Sequence, residues 1–454
     1  MRLERIVNVA DARSAARREL PGVVFDYVDG AADDEVTMRE NVAAFERVAL
    51  RPRMGRSVQA PDLATTVLGT PVSMPVLLAP CGLVRAMHPD AGPGVARAAA
   101  SRGTVSVLST VAGSPVASVV PAAPGRVWFQ LYSAGGRPVA DALCAQAEEA
   151  GVRVLVVTLD TPALGNRERD LRHGVAPPLR IDVHSALHLG PQVLTRPRWA
   201  WRMARDGLSL LGRPGRSSAP RAGADVNAGL GPPGRPSGFA GGPARPPAGA
   251  SVSSAAAPPP PAGASVSSAA APAGPAAAGE AGGLPLGASP SGSHARRMLS
   301  MAASPFSWDD VAWLRERWHG PLAVKGLLSG DDARRAVSCG ADAVIVSNHG
   351  GRQLDGAPST ISVLPEVAAA VADEGAGTEV FLDSGIRRGT HVVKALALGA
   401  RAVFIGRPYL YGLAAGGQAG VERVLDIFQT ELQRTMVLLG CPSVAELGPD
   451  WVSG

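Results

Sequence analysis

From residue 75 onward the chain returns eight times to one local design, a short β-branched or aliphatic run that ends in small or polar residues. The runs are Pro75–Ala79, Thr104–Ser109, Val127–Tyr132, Arg153–Thr158, Leu322–Lys325, Ala343–Ser347, Glu379–Asp383 and Ala402–Gly406. Helical stretches, most of them Ala-rich, follow several of them: Pro138–Ala150, Asp331–Cys339, Thr360–Ala372, Thr390–Leu398 and Val421–Leu439. Strands that alternate with helices pair in parallel, because each helix returns the chain across one face of the sheet. Eight units is the number that closes such a sheet on itself. The spacing therefore predicts an α/β fold, a TIM (β/α)8 barrel, and an N-terminal helical extension over about residues 5–55 precedes it.

Barrels of this kind place their reactive groups at the C-terminal ends of the strands. Here the first run ends Ala79-Pro80-Cys81-Gly82, the second at Ser109-Thr110 and the third at Gln130-Leu131-Tyr132. The fourth gives Thr158-Leu159-Asp160, the fifth Lys325-Gly326 and the sixth Ser347-Asn348-His349. The seventh gives Asp383-Ser384-Gly385-Ile386-Arg387 and the eighth Gly406-Arg407. Polar groups from all eight converge on one mouth.

Residues 342–355 are the most chemically loaded of these segments. A buried-strand pattern delivers His349, Gly350, Gly351 and Arg352 into one short loop. Histidine exchanges a proton near neutral pH, and arginine offers a planar fork that suits a carboxylate. The two glycines let a flat ligand approach the backbone. In the last two loops, glycines and arginines stand where this fold commonly binds phosphate on backbone N–H groups and a helix N-terminus. A phosphorylated ligand is expected. Of 44 Lys and Arg residues only Lys325 and Lys394 are lysines, so generic positive charge is carried by arginine. A lysine after the apolar Leu322-Ala323-Val324 points to a compact ammonium needed at the mouth.

With these motifs in view, the chain resembles the FMN-dependent L-2-hydroxy acid dehydrogenase and oxidase family, which includes glycolate oxidase, lactate oxidase and dehydrogenase, and mandelate dehydrogenase. The likeness covers about residues 5–203 and 304–445. It rests on Phe25-Asp26-Tyr27, Arg51-Pro52-Arg53, Gln130-Leu131-Tyr132, Thr158-Leu159-Asp160-Thr161-Pro162, the Ser347–Asp355 loop and Asp383-Ser384-Gly385-Ile386-Arg387-Arg388-Gly389.

The resemblance implies that His349 removes a substrate proton and that Asp160 pairs with the resulting imidazolium. Arg352 and Tyr27 would bind the substrate carboxylate, with Arg167 as a second cation, and Tyr132 would bond the substrate hydroxyl. Lys325 would sit by the N1/O2 edge of the FMN ring, with Ala79, Pro80, Ser109, Gln130, Thr158 and Ser347 along the isoalloxazine and ribityl chain. Asp383, Gly385, Arg387, Gly406 and Arg407 would hold the ribityl and phosphate end. The partners implied are a 2-hydroxy acid and an electron acceptor, which is a quinone, a carrier protein or oxygen. A homo-oligomer, a tetramer in relatives, is implied as well. No metal is expected.

Physical chemistry supports these roles separately. Oxidising a 2-hydroxy acid removes two electrons and two protons, so the site needs a base, an electron acceptor and a carboxylate anchor. A His349–Asp160 pair at about 4 Å would favour the protonated base by a few kcal/mol. A cation at the N1 edge stabilises charge that gathers as the ring is reduced. Direct hydride departure and a prior carbanion are both compatible with this residue set.

Residues 204–303 break the pattern. They are rich in Pro, Gly, Ala and Ser, and the thirteen-residue stretch at 246–258 recurs at 260–272. Such composition buries too little apolar surface to offset chain entropy, so a disordered insertion after the fourth strand is expected, within one barrel domain formed by 1–203 and 304–454. Just before it, residues 194–205 carry several Arg with Trp199 and Trp201. A basic helix packed on the barrel through both Trp is the leading expectation, and peripheral contact with the inner face of a membrane is the other. No apolar run of about 20 residues and no signal-peptide pattern occur, which favours a cytoplasmic protein. Cys81, Cys144, Cys339 and Cys441 lack metal or redox spacing. A net charge of +5 without a nucleic-acid motif argues against nucleic acid. An FMN-dependent isomerase and a non-catalytic flavin-binding barrel are the alternatives. Proton abstraction by His349 beside Arg352 counts against the first. The joint presence of Tyr27, Tyr132, Asp160, His349 and Arg352 counts against the second.

Overall fold

The computed structural model describes residues 2–132, 135–173, 190–211, 305–375 and 377–453. The expected insertion lies outside the described residues from 212 to 303. Its N-terminal edge needs correction, because a helix spans Pro197–Leu211 and so continues past Ala204.

All eight runs form strands, β1 Val76–Leu78, β2 Ser106–Ser109, β3 Val127–Leu131, β4 Leu155–Thr158, β5 Leu322–Leu327, β6 Ala343–Val346, β7 Glu379–Leu382 and β8 Ala402–Ile405. Each pairs in parallel with the next, and β8 closes on β1 through Val403–Val76, Phe404–Leu77 and Ile405–Leu78. Alternate residues face in and out, as the two-residue period of a strand requires. Val76, Leu78, Leu108, Phe129, Val324, Val344 and Leu382 belong to the outer core shared with the helices. Leu77, Val107, Trp128, Val156, Ile345, Phe381 and Phe404 fill the interior, where Ala323, Ala343 and Ala402 make room for the rings. Trp128 lies 6.2 Å from Phe381 and 6.1 Å from Phe404, and the two Phe rings meet edge to face at 5.6 Å. This aromatic plug makes the barrel solid below the strand ends. Val67 and Val72, on a hairpin of Thr65–Val67 with Thr70–Val72, join the same inner cluster.

Ahead of the barrel come helices α1 Val9–Glu19, α2 Gly22–Asp29 and α3 Val36–Arg47. Asn8 caps α1 by accepting from the Asp11 N–H at 2.8 Å. α1 packs on the C-terminal helical segment Arg407–Leu439, which is broken at Gly416 and Gly417. α2 and α3 cover the C-terminal rim of the barrel, where carbonyls of α2 accept from Arg352 and Arg407.

The Pro197–Leu211 helix docks with one of its two Trp. Trp199 packs on the core and donates from Nε1 to the Ala86 carbonyl at 3.0 Å, while Trp201 is 67% exposed. Packing through both is thus corrected to packing through Trp199, with Arg202 paired to Glu19 at 2.9 Å. No described helix is long and apolar enough to cross a membrane.

Trp128 gives a clean test of the plug. Its Nε1 is buried without a hydrogen-bond partner, so Trp128→Phe loses no bond and relieves an unsatisfied donor, offsetting the small cavity it leaves. Trp128→Ala removes the whole ring, at a cost of about 3–5 kcal/mol. Thermal and urea unfolding should place the Phe variant within about 1 kcal/mol of the parent. Equal destabilisation by both substitutions would refute the plug as described.

Candidate active site

Above the plug, the strand ends and α2 enclose a cavity with about 1060 Å³ of empty volume. Fourteen of the expected site residues line it. Tyr27 comes from α2, Ala79 and Pro80 from the end of β1, Tyr132 from β3 and Thr158 from β4. Arg167, Lys325, His349, Arg352, Asp383, Gly385, Arg387, Gly406 and Arg407 complete the lining, with Arg352 and Arg407 donating to the same Gly30 carbonyl. Ser109, Gln130, Asp160 and Ser347 stand just behind the wall. Ser109 Oγ donates to Gln130 Oε1 at 2.7 Å, and Gln130 Nε2 donates to Thr158 Oγ1 at 3.0 Å, which orients the threonine.

His349 Nδ1 meets Asp160 Oδ1 at 2.9 Å. A carboxylate accepts the Nδ1 proton, which leaves the Nε2 lone pair toward the cavity, 3.4 Å from the Tyr132 hydroxyl. Burial pushes His349 below the ordinary imidazole value, against the upward pull of Asp160, and the cations Lys325 and Arg167 add to the depression. Asp160 does favour the protonated base, as the sequence argument holds, but its pull is smaller than the cost of burial. Burial wins, and the resting base is neutral. Asp160 is itself held below the usual carboxylate range, because His349 and Lys325 outweigh the burial that would raise it. Burial and the nearby Asp160 charge push the Tyr132 hydroxyl up, so it stays protonated.

Lys325 is buried at the centre of the wall. Burial alone would lower it, but Asp383 at 3.0 Å, together with Asp160, holds the ammonium above its ordinary value. It also donates to Ser347 Oγ at 2.7 Å.

The arginines divide into two groups. Arg352 Nη1 donates to the carbonyls of Tyr27 at 2.8 Å and Gly30 at 2.9 Å, which leaves Nε and Nη2 without a partner among the described residues. Its guanidinium stacks over the Tyr27 ring, 5.0 Å from the centroid. Beside it, burial and the Arg352 charge lower Arg167 to about 10, and Arg167 Nε is buried with no partner. In the second group, burial lowers Arg407 to about 10 and also depresses Arg387. Both bond only backbone carbonyls, Arg387 that of Ile386 and Arg407 those of Val28, Gly30 and Gly350. A buried cation without a counterion is costly. Each group suits an anion, one beside His349 and one beside Gly385 and Gly406, where the Arg407–Leu439 segment begins.

This donor set fits FMN. Arg387, Arg407 and the N-terminus at Gly406 suit its phosphate, and Asp383 suits the hydroxyls of the ribityl chain. The apolar Ala79 and Pro80 suit a flat ring, and Lys325 supplies a cation at its edge.

Sequence reading did not single out Ser384, whose Oγ accepts from the Gly350 N–H at 2.9 Å. It also passed over Asn348 and Asn41, which bond each other. Asn348 stood inside the His349 motif and was legible there. Asn41 lies 307 residues away, and no local signal marks it.

A family model described as FMN-dependent dehydrogenase matches residues 16–454. The chain is 38% identical over 441 residues to the pre-mycofactocin synthase of Mycobacterium tuberculosis, spanning 97% of this chain and 93% of that protein. It is 37% identical over 447 residues to an L-lactate dehydrogenase of Xanthomonas campestris pv. campestris, spanning 98% and 96%. The crystal structure of the monotopic membrane protein (S)-mandelate dehydrogenase superposes with a TM-score of 0.75 at 32% identity, covering 98% of this chain and 99% of that one.

The balance of burial against the Asp160 charge predicts a titration. In histidine-labelled protein followed by NMR, His349 should protonate below the ~6.5 of a free imidazole. Asp160→Asn should lower the midpoint further, since it removes the attraction and leaves the burial. A wild-type midpoint above that of free imidazole, or an upward move in the variant, contradicts the balance drawn here.

Proposed function

The chain belongs to the FMN-dependent dehydrogenase family, oxidoreductases of the α-hydroxy acid dehydrogenase and oxidase class, and from this premise we propose that it oxidises an L-2-hydroxy acid to the 2-oxo acid. The observation that carries the reading is the pairing of a neutral, carboxylate-oriented His349 with the unpaired fork of Arg352 in one cavity.

On this reading, the substrate carboxylate lies against Arg352 and Arg167, with Tyr27 alongside. The charge that these buried guanidiniums lack is supplied by the substrate, and binding fixes its Cα–OH near His349. Tyr132 bonds the hydroxyl oxygen. His349 takes one proton at Nε2, and the imidazolium that forms is stabilised by Asp160 at Nδ1. FMN, held by Asp383, Arg387 and Arg407, would supply the acceptor for the two electrons and the second proton of the oxidation, to be passed on to a quinone, another carrier or oxygen. Lys325 keeps positive charge at the edge of that site throughout, because its own proton is held by Asp383 and Asp160. Gly82, Val111 and Leu164 line the cavity as well and leave an apolar space for a substrate side chain from the size of lactate to that of mandelate.

Anaerobic mixing of the holoprotein with (S)-lactate, glycolate and (S)-mandelate should bleach the flavin with at least one of them, and the flavin released on denaturation should be FMN. Arg352→Lys should slow reduction and raise the apparent substrate constant together by roughly 10- to 100-fold, the value of a charge-assisted bidentate contact. A flavin that none of the three acids reduces would sink the reading, as would a Lys variant indistinguishable from the parent.

We also propose peripheral membrane contact through the Pro197–Leu211 helix. Trp201 and the preceding Leu194, 81% exposed, stand beside exposed Arg198, a combination of apolar anchors and cation that suits an anionic bilayer surface. Co-sedimentation with anionic vesicles should be strong for the parent and weakened by Trp201→Ser. Equal sedimentation of the two, or none for either, removes the proposal.

A further inference from the structure

His349 holds a left-handed backbone, φ +57°, which a residue with a side chain adopts rarely and which its surroundings must enforce. The loop around it is closed by the Gly351 N–H donating to the Asn348 carbonyl at 3.0 Å, and three side-chain acceptors hold its N–H groups. The His349 N–H donates to Ser347 Oγ at 3.1 Å, the Gly350 N–H to Ser384 Oγ at 2.9 Å, and the Gly351 N–H to Asn348 Oδ1 at 3.2 Å. The third leads outside the barrel. Asn348 exchanges two hydrogen bonds of 2.8 Å with Asn41 of α3, Nδ2 to Oδ1 in each direction. Asn348 Nδ2 also donates to the Pro358 carbonyl at 2.9 Å, and Asn41 Oδ1 also accepts from the Thr360 N–H at 3.3 Å. Both amides are buried, Asn41 with 2% exposure and Asn348 with 4%.

The pattern of donors and acceptors admits one orientation. Asn348 Nδ2 donates to the Pro358 carbonyl and Asn41 Oδ1 accepts the Thr360 proton, so Asn348 turns its Nδ2 to Asn41 Oδ1 and Asn41 returns its own Nδ2 to Asn348 Oδ1. Two apolar side chains would fill the same space without fixing an orientation. α3 is fastened to the same loop elsewhere. The Asp355 carboxylate accepts from the Val36 and Thr37 N–H groups at 3.1 and 2.7 Å, in the first turn of the helix. Gly385, at φ +83°, packs so closely that a Cβ there would lie 1.9 Å from the Asn41 carbonyl oxygen. α3 therefore backs both the loop after β6 and the loop after β7.

We propose that Asn41 is a positioning residue for the reaction: through its amide pair with Asn348 it holds the His349 loop in the strained conformation that aims Nε2 into the cavity. The inference rests on the reading of His349 as the base. Asn41 meets the FMN cradle only through its backbone carbonyl, at Gly385, and its amide side chain touches neither the cradle nor the carboxylate anchor, so replacing that side chain changes the rate of substrate oxidation and leaves carboxylate affinity in place.

The test uses FMN-loaded protein with the best acid from the screen above. Asn41→Leu should slow anaerobic flavin reduction by roughly 10- to 100-fold, the effect of a misplaced reacting group, with the apparent substrate constant within about twofold of the parent. Hydrogen–deuterium exchange should quicken across residues 348–351 and stay unchanged in the barrel strands and at Arg352, whose guanidinium is held separately by the Tyr27 and Gly30 carbonyls. Asn41→Asp is the orientation-specific variant. Its carboxylate sets an oxygen against Asn348 Oδ1, whereas the protonated carboxyl offers an O–H there, so reduction in this variant should slow as pH rises while the parent, which needs neutral His349, does not. Wild-type rates and exchange in Asn41→Leu, or a parental pH profile in Asn41→Asp, overturn the proposal. If the Leu variant does not fold, Asn41→Ser, which leaves room for water, replaces it. Failure of all three variants to retain FMN makes the residue purely structural and also overturns it. Should no 2-hydroxy acid reduce the parent, the functional reading fails on its own, and loop exchange in the variants still decides whether Asn41 holds the loop.

Discussion

Closure of the parallel sheet, β8 on β1, is the constraint on which everything else depends. An open sheet would spread its strand ends along an edge. A closed one gathers Cys81, Tyr132, Lys325, His349 and Arg407 from distant parts of the chain around a single rim. Closure is stable because the interior is solid. Trp128, Phe381 and Phe404 fill the space that small alanines on neighbouring strands leave, so the rim rests on a packed floor and the cavity begins above it. Phe404 both fills the barrel and lines the cavity, which ties the floor of the site to the core.

Charge then divides the rim. Arg352 with Arg167, and Arg387 with Arg407, are half-buried cations without an ion-pair partner among the described residues, whereas Lys325 is paired with Asp383. Asp170 acts on Arg167, and Asp29 on Arg387 and Arg407, only beyond ion-pair distance. Asp29 takes Arg13, Arg169 and the Tyr411 hydroxyl beneath the helical cover, which anchors α2 and hence Tyr27. Asp160 is committed to His349. Positive charge is thus left without an ion-pair partner at both places, which suits anionic ligands. Burial sharpens both demands and at the same time keeps His349 neutral, so one physical cause prepares the anchor and the base.

Much of this was legible in the residues. The eight runs matched the eight strands to within a residue or two, because a strand buried on both faces has to be apolar at nearly every position. The polar residues that ended each run were visible for the same reason, as departures from an apolar pattern. Lys325 stood out through composition alone. Less legible were effects that depend on what surrounds a residue. Trp199 and Trp201 look alike in sequence, yet one docks against Ala86 and the other faces outward. The 15-residue Pro197–Leu211 helix runs on through Ala204, where the change in composition had suggested a boundary.

The sequence by itself determined the barrel, the rim residues and the chemistry they favour, since period, apolarity and residue type are properties of short segments. Tertiary structure alone decided the protonation state of His349, because burial is a sum over neighbours from many strands and here outweighs the one partner, Asp160, that the motif makes visible. It alone decided which cations lack counterions. It also decided that α3 meets the His349 loop, for a hydrogen-bonded pair 307 residues apart has no periodicity to reveal it and comes into being only when the chain closes over the mouth of the barrel.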